Sequence, residues 1–338
     1  MRHRYDCVWA PFTTTVPAFA LEHCCYDPLI LLPGYTPRYD QTLVWSKGFG
    51  LKNRSDVSSQ PDADSIYRIG SISKIFAMLS TMITRDAGKL SLDDDVAKYV
   101  PEFSVKPAPS ATAKRRRDAT VRDNERATGR TGITFSALAS HLAGLSRESP
   151  CTGFPDGGQG RCDMTDAEAW ARVANTTAIL PPNTMPIYSN MGFEVLGHAV
   201  AAIHGMSYEA MVAALLTGPL NLTHTGVNFT ADVMRESSPL FPHLALPYQE
   251  GMTPCGTPCL QDFGWGNPSG AMFSSVRDLA KICSLMFRGD DSAHDGDASP
   301  ILSATSLRET MLPKYITPDR TGGYATTWEL YQIVRCAA

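Results

Sequence analysis

One long apolar helix most constrains the fold of this chain, and it is predicted to begin at Ser71 and to end just before Gly88. Large apolar side chains recur within it at helical spacing, namely Ile72, Ile75, Phe76, Leu79, Met82 and Ile83. Gly70 can supply a tight turn before the helix, and Gly88 suits a helix end that needs a positive φ. A helix with so broad an apolar face is buried, so other segments must pack around it.

Ser71 and Lys74 are three residues apart, which places them on one side of the first turns of this helix. Burial disfavours the charged form of a lysine, so its pKa falls and it can take the proton that makes a serine nucleophilic. The Ser71 backbone N–H is among the unpaired donors of the helix start, where an oxyanion could form. The structural alternative is an N-cap serine followed by a lysine whose stem lies along the helix.

Composition and charge exclude several classes of function. The chain has 338 residues, of which 43% are hydrophobic and 19% charged, with a net charge of −4. This balance favours neither nucleic acid nor an anionic membrane surface, and no apolar run approaches the length of a membrane span. The expected partner is a small-molecule substrate, and the oligomeric state is left open.

The cysteines and several tripeptides favour an oxidising compartment. Cys151 and Cys162 bracket one polar loop, and Cys255 and Cys259 bracket another, which is typical of disulfide-closed loops, although reduced thiols are the alternative. Neither pair has the spacing of a zinc site. Cys283 is expected to be a buried small hydrophobe. Four cysteines are left unassigned: Cys7, Cys24, Cys25 and Cys336. Four tripeptides are predicted N-glycosylation acceptors, at Asn53, Asn175, Asn221 and Asn228.

The first 20 residues do not resemble an intact signal peptide. Met1–Arg4 is basic and Ala18–Ala20 resembles a cleavage site, but the stretch between them is too polar for a signal sequence. We expect a secreted, disulfide-bonded glycoprotein on the strength of the cysteines and acceptor tripeptides, with a cytoplasmic location as the alternative.

The predicted architecture has a strand at each end and a large helical region over residues 71–289. Thr42–Leu51 alternates as a strand would, and Tyr324–Val334 does so in part. Further helices are predicted over 133–144, after a capping box at 165–168, from 190 to 203, from 208 to 216, from 275 to 288 and from 303 to 312. We therefore predict an α+β domain over 42–338, whose antiparallel sheet comes from both chain ends, after an irregular segment over 1–41.

Two features inside the helical region are interpreted as structural. Residues 104–130 are rich in Pro, Ala, Thr, Lys and Arg, and they predict a solvated insertion loop. A nucleic-acid patch is disfavoured because no aromatic residue interleaves the charges of Lys114–Arg117. His198 and His204 are six apart and so lie on different helix faces, which predicts packing or surface residues and not a zinc pair.

Two motifs, Ser71-Ile-Ser-Lys74 and Tyr188-Ser-Asn190, resemble the serine β-lactamase and penicillin-binding-protein-like family, on its class C and esterase side. Surrounding segments follow the order of that family: Tyr67–Lys74, Gly88–Asp94, Ile133–Gly144 with Ser140-His141, and Asn267–Leu279. The resemblance runs from about Thr42 to Leu330 and is greatest to secreted fungal β-lactamase-like hydrolases. It implies the β-lactamase/transpeptidase-like fold, acyl transfer through serine, and no metal or cofactor.

The resemblance also implies roles for four residues. Ser71 is the acylated nucleophile, and Lys74 takes or shares its proton. Tyr188 carries the proton between Ser71 and the leaving group, which requires the charge of the lysine close to its phenol. Asn190 binds the substrate amide and Lys74. The structural alternative for the last two is a surface tyrosine beside an asparagine that caps the helix from residue 190.

The third motif of the family departs from expectation. It is K-T-G or H-x-G on a strand that lines the site. Arg320-Thr-Gly322 has suitable chemistry but predicts a turn, and Ala338 comes about where the motif's strand should begin. We therefore predict a shortened or altered member of the family.

Three functions remain open from the sequence. The first is a serine hydrolase acting on an ester, amide or lactam. The second is an acyltransferase of a small-molecule biosynthetic pathway, because its first half-reaction is the same. The third is an inactive or fragmentary relative that at most binds a ligand.

Overall fold

The computed structural model describes residues 46–53, 55–109, 131–147, 164–230, 232–245, 262–286, 301–320 and 322–331. Its helices are α1 (Ser73–Asp86), α2 (Phe135–Ala139), α3 (Asp166–Asn175), α4 (Asn190–His204), α5 (Tyr208–Val212, continued by a π-helical turn over Ala213–Thr217), α6 (Asn267–Gly270), α7 (Val276–Met286) and α8 (Ala304–Met311). Its strands are β1 (Ile66–Arg68), β2 (Phe273–Ser275), β3 (Tyr315–Ile316), β4 (Gly322–Tyr324) and β5 (Glu329–Tyr331). Short 3₁₀ turns cover Gly70–Ile72, Val96–Lys98, Phe241–His243 and Gly264–Gly266.

The core is built around α1 and α4, which pack against each other and against α6. Every residue of α4 from Met191 to Ala201 is buried except His198, so this helix is apolar on nearly all sides. Each large apolar side chain buried in such a core contributes about 1.5–3 kcal/mol relative to an exposed one. The starts of α1 and α4 are therefore held by the larger of the two hydrophobic clusters that the described residues form.

The backbones of α4 and α6 come together at Gly197. A side-chain carbon at this position would lie 2.5 Å from Cβ of Pro268 and 2.9 Å from the ring of Tyr208. Only glycine allows this approach, so the position of α6 depends on a residue without a side chain.

The end of α1 follows the prediction, but its start lies two residues later than expected, because Ser71 and Ile72 belong to a 3₁₀ turn. Gly70 has a φ of 51° in the turn that precedes the helix, and Gly88 has a φ of 70° just after it. Both are left-handed conformations that glycine adopts at little cost. The capping box at the start of α3 is confirmed as well, since Thr165 and Glu168 each accept a hydrogen bond from the backbone N–H of the other.

The described strands form two small antiparallel sheets. β1 pairs with β2, with Ile66 opposite Ser275 and Arg68 opposite Phe273. β3, β4 and β5 form a three-stranded meander. The α+β class is thus confirmed, with helices predominating.

Two predicted strands need correction. Residues 46–51 are irregular, because the backbone forms a local loop in which the Lys52 N–H bonds the Ser59 carbonyl at 2.7 Å. Residues 42–45 lie outside the described part. The strand predicted from Tyr324 is interrupted after that residue and resumes at Glu329, because the Thr327 N–H turns aside to the Ala139 carbonyl at 2.7 Å.

The start of the predicted insertion loop is tied to the rest of the chain. Lys106 bonds through its backbone to Thr176 and Ala178, each at 2.8 Å, so the first residues of this loop are anchored to the chain after α3, while four of residues 104–109 are exposed. Residues 110–130, including Lys114–Arg117, lie outside the described residues.

Other helix bounds differ modestly from the predictions. The helix expected over 133–144 spans only Phe135–Ala139, because His141 takes a φ of 60°. Cys283 is half-buried in α7. The other cysteines lie outside the described ranges. Within those ranges no single helix is long and apolar enough to cross a membrane. The pair formed by α4 and by α5 with its π-helical turn is long and apolar enough, by length and composition alone, but it is bent by 76°.

Candidate active site

The turn before α1 separates an exposed serine from a buried lysine. Ser71 lies on the surface in the 3₁₀ turn, whereas only 2% of Lys74 is exposed. The Ser73 hydroxyl ties this turn to the chain before β2, since it donates to the Gly70 carbonyl at 2.6 Å and accepts from the Met272 N–H at 3.0 Å. The predicted placement of Ser71 and Lys74 on one side of the helix start is confirmed, because Lys74 Nζ lies 3.3 Å from Ser71 Oγ.

Lys74 joins three segments that are distant in sequence. Besides Ser71, its ammonium donates to Asn190 Oδ1 at 2.9 Å and to the Ser269 carbonyl at 2.6 Å. Burial lowers the pKa of Lys74, while the nearby Tyr188 and Glu194 act in the opposite direction and Arg147 lowers it further. A lysine in these surroundings gives up its proton more readily than a lysine in water.

Tyr188 is the second proton-carrying group at the serine. Its Oη donates to Ser71 Oγ at 2.5 Å, and Lys74 Nζ lies 4.9 Å from the centroid of its ring. The nucleophilic oxygen therefore receives hydrogen bonds from both a phenol and an ammonium group. The structure brings together all four residues that the sequence predicted for the site.

Asn190 is not the helix cap that the sequence suggested. Ser189 is the N-cap of α4, because its Oγ accepts the Gly192 N–H at 2.8 Å. Asn190 is the first helical residue, and its side chain is turned toward Lys74. The cap is shifted by one residue because serine and asparagine cap equally well, and here only Asn190 reaches the lysine.

His141 supports Tyr188 from behind, and the sequence had not predicted this role. The two rings stack with centroids 4.6 Å apart and an angle of 27°. His141 Nδ1 accepts the Ser189 N–H at 3.1 Å, which leaves the ring proton on Nε2. Burial, helped by the charge of Lys74, lowers the pKa of His141 to about 3, so the imidazole is neutral throughout the physiological range.

Arg147 and Ser269 were also missed by sequence reasoning. The guanidinium of Arg147 lies 5.2 Å from the Tyr188 ring centroid, at the exposed side of the site. Ser269 contributes a backbone carbonyl, a group that every residue carries and that no sequence pattern reveals. In the resemblance, the Ser140-His141 pair and the segment Asn267–Leu279, which contains Ser269, pointed to this neighbourhood without assigning either residue a role.

The remaining predicted features are structural or lie elsewhere. The ring of His198 stacks on Trp265 at 4.5 Å, and His204 bonds the Thr84 hydroxyl at 2.9 Å, as expected for packing residues. Within the described ranges no group of three or more His, Cys, Asp or Glu could hold a metal ion. Arg320 has a φ of 58° in the turn between β3 and β4, which confirms the predicted turn.

Comparison with known proteins decides the family. A family model described as Beta-lactamase matches residues 38–333. The chain belongs to the beta-lactamase family. Among curated relatives, Beta-lactamase-like protein 4 of Dictyostelium discoideum is 28% identical over 295 residues, which cover 85% of this chain and 47% of that protein. The chain spans about half the length of the first curated relatives it matches.

Solved structures share the beta-lactamase fold. The octameric penicillin-binding protein homologue from Pyrococcus abyssi superposes with a TM-score of 0.63 at 24% identity, covering 86% of this chain and 59% of that one. A class C beta-lactamase from Rhodobacter sphaeroides gives a TM-score of 0.59 at 23% identity, covering 84% and 66%. Identities this low support the fold alone.

Proposed function

We propose that the protein is a serine hydrolase that forms an acyl-enzyme on Ser71 from an ester, amide or lactam. The observation that carries this proposal is the convergence of Lys74 Nζ and Tyr188 Oη on Ser71 Oγ, at 3.3 and 2.5 Å. A serine hydroxyl needs a neighbouring group that takes its proton, and these are the two groups in place to do so.

The geometry suggests how the residues divide the work. With Lys74 as the neutral amine that burial favours, Ser71 Oγ attacks the carbonyl carbon of the substrate while its proton passes to Lys74 Nζ. In this proposal the Ser71 N–H, in the 3₁₀ turn before α1, binds the oxyanion of the tetrahedral intermediate, as N–H groups at helix starts do. Tyr188 lies nearer the surface and gives a proton to the leaving group, and Asn190 keeps Lys74 in position. Lys74 returns a proton to Tyr188 and is again a neutral amine. Water then attacks the acyl carbon as Lys74 takes one of its protons, and that proton passes to Ser71 Oγ when the serine leaves.

A covalent probe tests the nucleophile directly. Wild-type protein incubated with a serine-reactive phosphonate should gain the mass of one adduct, and Ser71→Ala should gain none. The Ser71→Ala variant should fold normally because Ser71 is exposed and caps no helix, and substitutions at such surface positions usually change stability by about 0.5 kcal/mol or less. Ser91→Ala, which removes another exposed serine outside the site, is the matched control and should be labelled like the wild type.

Either of two results would overturn the proposal. Full labelling of Ser71→Ala would move the nucleophile elsewhere. No labelling of a wild type that is folded by circular dichroism would favour the inactive relative that the sequence left open.

Hydrolysis and acyl transfer share the acyl-enzyme, so they are separated at the second step. With an aryl ester as acyl donor, we expect the free acid as the main product in the presence of millimolar alcohols. Predominant ester products would identify the protein as an acyltransferase instead.

A further inference from the structure

A buried carboxylate lies one helical turn beyond Asn190 on α4. Glu194 is only 1% exposed, and its Oε1 accepts the hydroxyl of Ser269 at 2.9 Å. Burying a carboxylate is costly unless it is hydrogen-bonded and paired with charge, so its presence in the apolar α4 needs an explanation.

Ser269 links this carboxylate to the site lysine. Its hydroxyl has one proton and two acceptors within 2.9 Å, Glu194 Oε1 and the Gly266 carbonyl. A charged acceptor forms the stronger bond, which favours Glu194. The backbone carbonyl of the same residue accepts from Lys74 Nζ at 2.6 Å, the shortest of the lysine's three bonds. Ser269 thus contacts a carboxylate through its side chain and an ammonium through its main chain.

We propose that Glu194 is a positioning residue of this site, acting through the Ser269 hydroxyl on the carbonyl that holds Lys74. The inference rests on the proposed function, in which Lys74 activates Ser71. Glu194 fixes where the lysine sits, and its negative charge sets how readily the lysine gives up its proton.

The charged surroundings of Lys74 determine the sign of the effect. On α4 and the residues before it lie Glu194 and Tyr188, and after α2 lie His141 and Arg147. α6 presents its carbonyl but no titratable side chain, and Glu209 on α5 is bound to Asn267 at 2.9 Å. Burial lowers the pKa of Lys74, and Glu194 opposes that shift. Removing the charge of Glu194 therefore lowers this pKa further.

Three variants separate the effect of the Glu194 charge from that of its hydrogen bond to Ser269. Glu194→Gln keeps a hydrogen-bond acceptor but removes the charge, so the acidic limb of the acylation rate should move to lower pH, on the order of half to one unit. Ser269→Ala keeps the carbonyl and the charge but removes the bridge, so the plateau rate should fall about tenfold while the limb stays in place. Glu194→Asp should return the acidic limb of the pH–rate profile to its wild-type position, because the charge is kept. It should not restore the wild-type plateau rate, because the shorter side chain cannot reach Ser269.

Matched controls exclude general effects on stability. Glu309→Gln removes a partly exposed carboxylate that pairs with Arg85 on α1, and Ser80→Ala removes a buried serine hydroxyl of α1. Both should leave the acylation profile unchanged. A Glu194→Gln profile that superimposes on the wild type would refute the role of the charge, and a Ser269→Ala plateau equal to that of Ser80→Ala would refute the bridge.

A second readout keeps this inference distinct from the proposed function. Absence of a phosphonate adduct on wild-type Ser71 would overturn the proposed function and leave the electrostatic relation testable. In ¹³C-lysine spectra the Lys74 signal, identified by its loss in Lys74→Arg, should titrate at lower pH in Glu194→Gln than in the wild type. Identical titrations would overturn the inference even if Ser71 is labelled.

Discussion

His141 is a buried residue whose side chain and backbone are both constrained beside the site. It is 4% exposed, adopts a φ of 60°, and combines a ring stack on Tyr188 with a bond to the Ser189 backbone. Non-glycine residues adopt such a backbone conformation at a cost, and asparagine and histidine tolerate it better than most. The cost is offset here because the neutral imidazole fixes both the ring of Tyr188 and the first turn of α4.

Replacing His141 by asparagine should change stability in a pH-dependent way. Asparagine tolerates the same φ and can accept the Ser189 N–H, but it loses the ring packing, so we expect a loss of about 2 kcal/mol in the free energy of unfolding at pH 7. In the wild type the unfolded imidazole takes up a proton near pH 6.5, whereas the folded one resists down to about pH 3.

The wild type therefore loses stability as the pH falls from 6.5 toward 3, and His141→Asn does not. The difference between them should narrow by up to about 1.4 kcal/mol per pH unit in that window. Urea unfolding of both proteins at pH 7 and at pH 4.5 measures this. An unchanged difference would show that His141 is not kept neutral by the fold.

At the scale of elements, the start of α4 determines the geometry of the site, because the residues on either side of its cap contact Ser71 and Lys74. Ser189 accepts the Gly192 N–H at 2.8 Å and donates to the Ser146 carbonyl at 2.6 Å, so it fixes both the helix and the loop that carries Arg147. Tyr188 precedes this cap and Asn190 follows it. The direction of both side chains depends on where the helix begins.

Ser189→Ala should reduce the free energy of unfolding by about 1–2 kcal/mol and slow phosphonate labelling at least tenfold. Ser207→Ala is the matched control, because Ser207 caps α5 by accepting the Ala210 N–H at 3.2 Å. It should cost similar stability without affecting labelling. Thermal melts and labelling rates provide the comparison, and equal labelling of the two variants would contradict a special role for the α4 cap.

How far the sequence predicted this site depends on the kind of group involved. Ser71 and Lys74 were predicted from helical periodicity, and Tyr188 and Asn190 from the resemblance, because both signals are carried by side-chain identity. The Ser269 carbonyl could not be predicted in this way, and Glu194 was given no role because no motif includes it. The strand expected over 42–51 failed for residues 46–51 because alternation signals a strand only where another strand pairs with it.

At the scale of the whole molecule, the close contact of α4 with α6 holds the site together. The absence of a side chain at Gly197 lets Pro268 approach, and Ser269, the next residue, presents its carbonyl to Lys74. An added methyl group would displace a proline ring that is part of a short, buried helix. Packing in the core and geometry at the nucleophile are therefore coupled.

Gly197→Ala should reduce the free energy of unfolding by about 1–3 kcal/mol through overpacking and also slow labelling of Ser71. Gly218→Ala is a milder control, since its side chain would come no closer than 3.0 Å to its single neighbour, the Ala213 carbonyl. Denaturant curves and labelling rates measured on the same samples test this. Normal labelling in a destabilised Gly197→Ala protein would show that α6 and the site are independent.

Two of the residues that bond Lys74 are far from it along the chain: Asn190 is 116 residues away and Ser269 is 195 residues away. An unfolded or nicked chain would rarely bring them together, because closing such loops has a large entropic cost. Covalent labelling of Ser71 would then report on conformation as well as chemistry. The fraction of molecules that accept a probe would measure the fraction that is native, and purified preparations could be titrated for correctly folded protein before any natural substrate is found.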